Sequence, residues 1–387
     1  MKIVFATSDN NLSSGAFNSC VFLAKELIAV KNEASVVVPC DGDGVQLLIE
    51  HSIPFRKIES EDWVVCNFDT KEDKIKKLKR IIRVNRVALK KWRQLLREEK
   101  PDILHINTTY HFIAAVAAIG TKTKVVWHLR EFLEEDQDRH ILKRALGLKL
   151  INRSAAIICI SQAIYDKYRD VFNRKKMFMV HNGISIEKYY SKRKIFSHKE
   201  IRMLCVGGLW EKKGQFELVE GIGKYRTKYH DDNFILNLVG DYDQVAKDRV
   251  TALCEKYHLD GRVVLCGRQK DTPRYYRDSD IVFMSSINEA FGRVTVEGML
   301  SGNLVIGKSC AGTEEIIQNK KTGLIYTGLN DLPETIYAAI KDKKASRELA
   351  KAGQESAMRN FTAQLNCQRV IGVYEKILGI SVTSSEK

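Results

Sequence analysis

Strand, loop and helix follow one another in Ile281-Val282-Phe283-Met284-Ser285-Ser286-Ile287-Asn288-Glu289-Ala290-Phe291-Gly292-Arg293-Val294-Thr295-Val296-Glu297-Gly298-Met299. The opening apolar run has strand length and polar neighbours, which reads as a buried parallel strand. A loop carrying Glu289 and Gly292 comes next, and a helical pattern starts near Arg293. A strand that passes through such a loop into a helix gathers backbone N–H groups and the positive helix end at one point. That point suits a phosphate or diphosphate. Glu289 precedes the helix and Glu297 stands inside it, so both carboxylates can face one ligand, with hydroxyl groups as their natural partners.

The same alternation of strand and helix runs through the chain, which marks a parallel α/β protein. Strands are expected at Lys2–Ala6, Ser35–Val38, Asp102–Ile106, Val125–Leu129, Ala155–Ile160 and Met177–Val180. A second series follows at Ile201–Val206, Phe234–Val239, Val263–Cys266, Ile281–Met284 and Leu304–Ile306. The length of 387 residues exceeds one ordinary core. Domains are therefore expected at 1–183 and 201–363, joined by the charged stretch 184–200. An amphipathic segment, 364–387, closes the chain with Leu365, Val370, Val373, Tyr374 and Ile377 at helical spacing.

The string from Glu289 to Gly307, E-A-F-G-R-V-T-V-E-G-M-L-S-G-N-L-V-I-G, resembles the signature of the retaining, nucleotide-sugar-dependent glycosyltransferases of family 4. That resemblance implies the GT-B architecture, two Rossmann-like domains facing across a cleft, with the last helix crossing back to the first domain. It gives Glu289 the hydroxyls of the donor sugar and Glu297 the nucleotide ribose, with Phe291 and Gly292 shaping the donor loop between them. Cys205-Val206-Gly207-Gly208-Leu209-Trp210-Glu211-Lys212-Lys213-Gly214 is similar to the family string V-G-R-L-x-x-x-K-G, whose arginine and lysine hold the diphosphate. Lys213 matches, whereas Gly208 stands in the arginine's place; Arg293, beside the diphosphate loop, is the candidate to replace that charge. Arg268, after Cys266-Gly267, is expected near the nucleotide base. Ala311-Gly312-Thr313-Glu314-Glu315-Ile316-Ile317 resembles G-G-x-P-E-I-I, with Glu315 as the matched acid.

In the first half, Pro101-Asp102-Ile103-Leu104-His105-Ile106-Asn107 resembles the family's P-D-x-x-H-x-H strand, with Asn107 where a second histidine is frequent. His128, at the end of Val125–Leu129, matches the family histidine near the sugar's primary hydroxyl. Arg130 and Glu131 either pair with each other or touch the acceptor. Gly15 follows the first strand at a turn where small residues allow close approach to a ligand, or serves as an ordinary turn glycine. Ser161 is expected to cap the helix after it. His181-Asn182-Gly183 reads as turn geometry at the domain junction. Catalysis is thus expected from His128, Lys213 and Glu289.

The implied reaction moves a sugar from a nucleotide-sugar to a saccharide or lipid-linked acceptor hydroxyl, in cell-surface polysaccharide or glycolipid synthesis. Its alternatives are a GT-B sugar-nucleotide epimerase and a non-catalytic sugar-nucleotide binder, the latter prompted by Gly208. No D-x-D motif suits the site and no Cys/His cluster occurs, so no essential metal and no cofactor beyond the co-substrate is expected. The net charge of +15 admits nucleic acid, membrane or phosphorylated partners. Nucleic acid is disfavoured, because no recognition helix, RNA-binding aromatic motif or zinc module is present.

Charge concentrates in Lys71–Lys100, with thirteen Lys/Arg against four acidic residues around an apolar stripe of Ile75, Leu78, Ile82, Leu89, Trp92 and Leu96. That stretch reads either as a crossover helix packed on a sheet or as a helix resting on an anionic membrane surface. Nine cysteines without a C-x-x-C pair read as reduced core residues. With neither a transmembrane run nor a signal-peptide pattern, a cytoplasmic protein is expected, peripheral on the inner face of the membrane in the second of those readings.

Overall fold

The computed structural model describes residues 1–380. The chain divides into two units, Met1–Gly183 with the chain from Ala363 onward, and Ile184–Thr362. In the first lie β1 (Lys2–Ala6), β2 (Glu33–Val38), β3 (Phe55–Lys57), β4 (Val64–Cys66), β5 (Ile103–Ile106), β6 (Lys124–Leu129), β7 (Arg139–Ile141), β8 (Ala156–Cys159) and β9 (Met177–Met179). Seven of them form a parallel sheet in the order β3-β2-β1-β5-β6-β8-β9, and β4 pairs with β7 in a small antiparallel ribbon. The second unit holds β10 (Ile201–Val206), β11 (Phe234–Val239), β12 (Val263–Gly267), β13 (Ile281–Met284), β14 (Leu304–Lys308) and β15 (Leu324–Tyr326), in the order β12-β11-β10-β13-β14-β15.

Strand order reverses direction between β1 and β5 in one sheet and between β10 and β13 in the other. Crossover helices leave a sheet on opposite sides at such a switch point, which opens a crevice at the strands' carboxyl ends. The first unit thus gathers the residues after β1, β5 and β6, and the second those after β10 and β13. The central strands that set these positions are largely apolar and buried on both faces, as burial under helices on both sides requires, with His105 on β5 and Lys124 and His128 on β6 among the exceptions.

The short strands β3, β4 and β7 were not among those expected. Each has three residues, and β3 is an exposed edge piece, Phe55-Arg56-Lys57, with too little apolar alternation to read. The stretch 184–200 packs as part of the second unit. It forms a short helix, Ile186–Tyr189, and buries Tyr189, Ile195 and Phe196. The terminal helix Ala363–Leu378 lies in the first unit, where Cys367, Val370, Val373 and Tyr374 join the core of β1, β2 and β5. Of the tail 364–387, residues 381–387 lie outside those described.

The basic segment is one helix, Lys71–Glu99, started by a capping box between Thr70 and Asp73 and ended by Lys100 in the left-handed conformation. Its buried face is Ile81, Asn85, Ala88, Trp92, Leu95 and Leu96, while Ile75 and Ile82 are 53% and 62% exposed. The expected stripe is therefore corrected in its first half. Asn85 is the cause: it sits on the buried face because its amide hydrogen-bonds both backbone groups of Glu61. A polar residue bonded in this way is invisible to a reading based on apolar spacing.

Candidate active site

Lys213 follows β10 through a single 3-10 turn, Glu211–Lys213, which is fixed from several sides. The Lys213 carbonyl accepts from the Ser285 hydroxyl at 2.7 Å, and the Lys212 carbonyl accepts from the Ile287 amide at 2.9 Å. Gly214 has φ +71°, and a Cβ there would sit 1.9 Å from the Ser285 carbonyl oxygen, so only glycine lets the turn approach this closely. Held in this way, Lys213 Nζ reaches Glu289 Oε2 at 3.3 Å.

Glu289 lies on the loop between β13 and the helix Arg293–Leu300. Gly292 caps that helix in the left-handed conformation and supplies no side chain to the first-turn N–H groups. The Thr295 hydroxyl in this turn is buried without a hydrogen-bond partner among the described residues. The loop is braced from behind: the Gly312 amide donates to the Glu289 carbonyl at 3.0 Å, and Phe291 is buried edge-on against Phe361. A cation, a carboxylate and the positive end of a helix therefore meet at one switch point, with charges suited to a diphosphate and to sugar hydroxyls.

Glu297 is buried, and its carboxylate accepts from the Tyr276 hydroxyl at 2.8 Å and from Arg293 Nη2 at 3.1 Å. Arg293 is thus engaged with Glu297 on its own helix. Removing the guanidinium leaves a buried carboxylate short of its counter-charge. Arg293→Ala is expected to lower unfolding stability by about 3 kcal/mol, and adding Glu297→Gln should recover most of it in urea unfolding. A loss of turnover at unchanged stability would instead support the diphosphate role.

Gly208 is roofed by its neighbour, because a Cβ there would lie 2.3 Å from Trp210 Nε1. The indole occupies the start of the path that an arginine would take, and is itself 49% exposed. The ends of β10, β11 and β12 come together at Gly207, Gly240 and Gly267; Gly240 donates to the Gly267 carbonyl at 3.0 Å, and a Cβ on it would meet the Gly207 carbonyl at 2.0 Å. Arg268, just beyond, is exposed.

In the first unit the switch point carries a buried polar cluster. Gly15 opens the helix Gly15–Ala29, and Ser14 caps it by accepting from Phe17 N. Asn107 donates to the Ala16 carbonyl at 2.9 Å and accepts from Arg130 Nε at 2.9 Å. Arg130 also bonds the Asn182 side chain and reaches His128 Nδ1 at 3.1 Å. Glu131 accepts from the backbone and hydroxyl of Thr109 and from the Arg130 backbone amide at 3.2 Å, while the Arg130 guanidinium turns to Asn107, Asn182 and His128.

His128 and His105 are wholly buried, with His105 Nε2 3.0 Å from His128 Nδ1 and His105 Nδ1 2.6 Å from the Tyr374 hydroxyl. Sequence reasoning missed His105, Asn182 and Tyr374 as members of this cluster. His105 was visible in its motif, but Tyr374 looked like one more apolar position on a helix. Ser161 caps Gln162–Tyr168 as expected. All nine cysteines are free.

Burial, reinforced by Arg130, holds His105 and His128 well below the ordinary histidine range, and burial pushes His111 down to about 4. Above pH 6.5 these groups are neutral folded or unfolded. As pH falls below that value, the unfolded chain takes up protons that the folded chain refuses, so stability is lost. Each histidine contributes up to ~1.4 kcal/mol per pH unit. Asp9 and Glu131, raised by burial, act in the opposite sense, because the folded chain keeps their protons to higher pH. With three groups against two, the melting temperature is expected to fall from pH 6.5 downward, and His111→Gln to flatten that fall.

Among the described residues no group of three or more His, Cys, Asp or Glu side chains is placed to hold a metal ion, and no helix is long and apolar enough to cross a membrane. A family model described as Glycosyltransferase Family 4 matches residues 13–188, and one described as Glycosyl transferases group 1 matches residues 187–356. The chain is 25% identical over 309 residues to N-acetyl-alpha-D-glucosaminyl L-malate synthase of Bacillus anthracis, covering 74% of this chain and 77% of that one. The Anabaena protein HepE, solved in complex with UDP, superimposes with a TM-score of 0.79 at 21% identity, covering 97% of this chain and all of that one. Its complex with UDP-glucose gives 0.76 at 20% identity, over 98% and 99% of the two chains. The apo form of the lipopolysaccharide outer core galactosyltransferase WaaB gives 0.71 at 17% identity, over 97% and 99%. Two Rossmann-like domains whose switch points carry these charges, matched along nearly their whole length, make the chain a glycosyltransferase of the GT-B type, related to the group 1 and family 4 glycosyltransferases.

Proposed function

We propose that the enzyme retains the anomeric configuration of its donor and builds a cell-surface polysaccharide or glycolipid. The pairing of Lys213 with Glu289 beside the glycine-capped start of the helix Arg293–Leu300 carries this reading. Breaking a sugar–phosphate bond puts growing negative charge on the leaving diphosphate. Lys213 and the first-turn N–H groups stabilise that charge as it develops. Glu289 then accepts from the sugar hydroxyls, and Glu297 and Arg268 act at the ribose and base. His128 supplies a further donor to the transferred sugar, and Gly15 leaves room for a ligand at the first switch point. The acceptor hydroxyl attacks from the face the phosphate leaves, and a phosphate oxygen takes its proton. UDP in the HepE complexes favours a uridine donor, and the WaaB likeness favours a lipid-linked saccharide acceptor. Proton NMR of the anomeric signal tests stereochemistry directly, with UDP-, GDP- and ADP-sugars offered in turn: an α-linked donor should give an α-linked product, and a β-linked product would overturn the retaining reading.

An acceptor in a membrane would bring the basic helix to an anionic surface. Ile75 and Ile82 project from Lys71–Glu99 among Lys79, Arg83, Arg86 and Lys90, all exposed, as an interfacial helix requires. Lys77 and Arg80, by contrast, hold Glu61 at 2.6 Å each and belong to the fold. Changing Lys79, Arg83, Arg86 and Lys90 to Glu should abolish sedimentation with phosphatidylglycerol vesicles. Sedimentation equal to wild type would rule this surface out.

A further inference from the structure

The cluster around His128 has a hydrogen-bond direction that can be read from one end. A guanidinium donates and never accepts, so His128 Nδ1, 3.1 Å from Arg130 Nη2, offers its lone pair. The proton of the neutral ring is then on Nε2. His105 Nε2 faces the same lone pair at 3.0 Å and must itself be N–H. That leaves His105 Nδ1 as an acceptor, and the Tyr374 hydroxyl 2.6 Å away as its donor. The chain of donors runs Tyr374 to His105 to His128, and ends at His128 Nε2–H, which is buried without a partner among the described residues. A buried N–H left unsatisfied is unfavourable, and such groups in native proteins call for an explanation such as a ligand.

We propose that Tyr374, on the terminal helix Ala363–Leu378, is a positioning residue that acts through His105 to keep His128 in the tautomer presenting Nε2–H to an acceptor oxygen of a ligand at the first unit's switch point. This rests on the reading of His128 as a sugar-facing group. Without the Tyr374 hydroxyl, His105 is free to carry its proton on Nδ1. Its Nε2 lone pair would then oppose the lone pair of His128 Nδ1, and relief would come from moving the His128 proton to Nδ1, against Arg130. The donor aimed at the ligand would be lost in that fraction of molecules. The helix holds the hydroxyl in place through Cys367, Val370 and Val373 in the core and through Asn366, which donates to the His181 carbonyl at 2.6 Å. Burial keeps both rings neutral, so the question concerns tautomers and not charge.

The test uses the full-length enzyme labelled with 15N-histidine. In the wild type, long-range proton–nitrogen spectra should show His128 and His105 protonated at Nε2 only. Tyr374→Phe keeps the ring and its packing and should give a mixed tautomer at His105 and His128, with kcat about tenfold lower and KM for the nucleotide-sugar within about twofold. His105→Gln supplies a second arm. Its amide nitrogen stands near the place of Nε2 and donates to His128 without help from residue 374, so in that background the loss caused by Tyr374→Phe should shrink to under about twofold. Unchanged nitrogen shifts in Tyr374→Phe, or an equal loss in both backgrounds, would overturn the inference. A tautomer shift with unchanged transfer would leave the relay intact and refute the sugar-facing role of His128 instead.

Discussion

Lys213→Ala is expected to lower kcat by about 10²–10³, with KM for the donor changed far less and the melting temperature almost unmoved. The Lys213 and Glu289 side chains are 30% and 20% exposed, so the pair between them is partly solvated and contributes little to folding. On the proposed reading its value lies in the reaction. The diphosphate gains charge only as the glycosidic bond breaks, and a fixed cation there lowers the barrier without binding the ground state equally well. Lys213→Arg should recover part of the rate, because the charge is kept while the short 3-10 turn places it differently. Steady-state kinetics with a single donor are sufficient. A fall in kcat/KM carried wholly by KM would mean that Lys213 binds the donor without assisting the chemistry.

Gly214→Ala should be nearly as damaging, although it removes no functional group. The added Cβ would meet the Ser285 carbonyl at 1.9 Å, and the backbone at φ +71° already strains an alanine. The turn must therefore shift, and Lys213 shifts with it. A misplacement of about 1 Å at a reacting centre is worth about 10² in rate, so kcat should fall about a hundredfold while circular dichroism stays native. Gly261→Ala is the matched control, since it has a similar φ of +70° and an open surround. It should show the strain in its melting temperature and no loss of activity. Equal activity in the two variants would contradict the role given to the Lys213 turn.

These two residues mark how far the chain could be read before its structure was known. Lys213, Glu289 and Gly292 were legible because a motif with fixed spacing converts directly into one turn and one helix start. The central strands were equally plain, since burial on both faces leaves continuous apolar runs. Side-chain relations that no spacing rule carries were not legible. Asn85 on the buried face of the basic helix answers to Glu61, and Trp210 closes over Gly208 by a turn that no spacing rule shows. Tyr374 meets His105 across 269 positions, with nothing in either neighbourhood to announce it. Arg293 was read by its place beside the loop, yet its side chain turns back one helical turn to Glu297.

Calorimetric titration of UDP and then of the UDP-sugar that proves to be turned over, into wild type, Lys213→Ala and Glu289→Gln, tests the grip most directly. Losing a charge-assisted contact to the diphosphate should weaken both ligands at least about tenfold in Lys213→Ala. Glu289→Gln should leave UDP within about twofold and weaken only the ligand that carries the sugar. Wild-type affinity of Lys213→Ala for both ligands would show that the diphosphate is held elsewhere, and the assignment of this switch point as the donor site would fall.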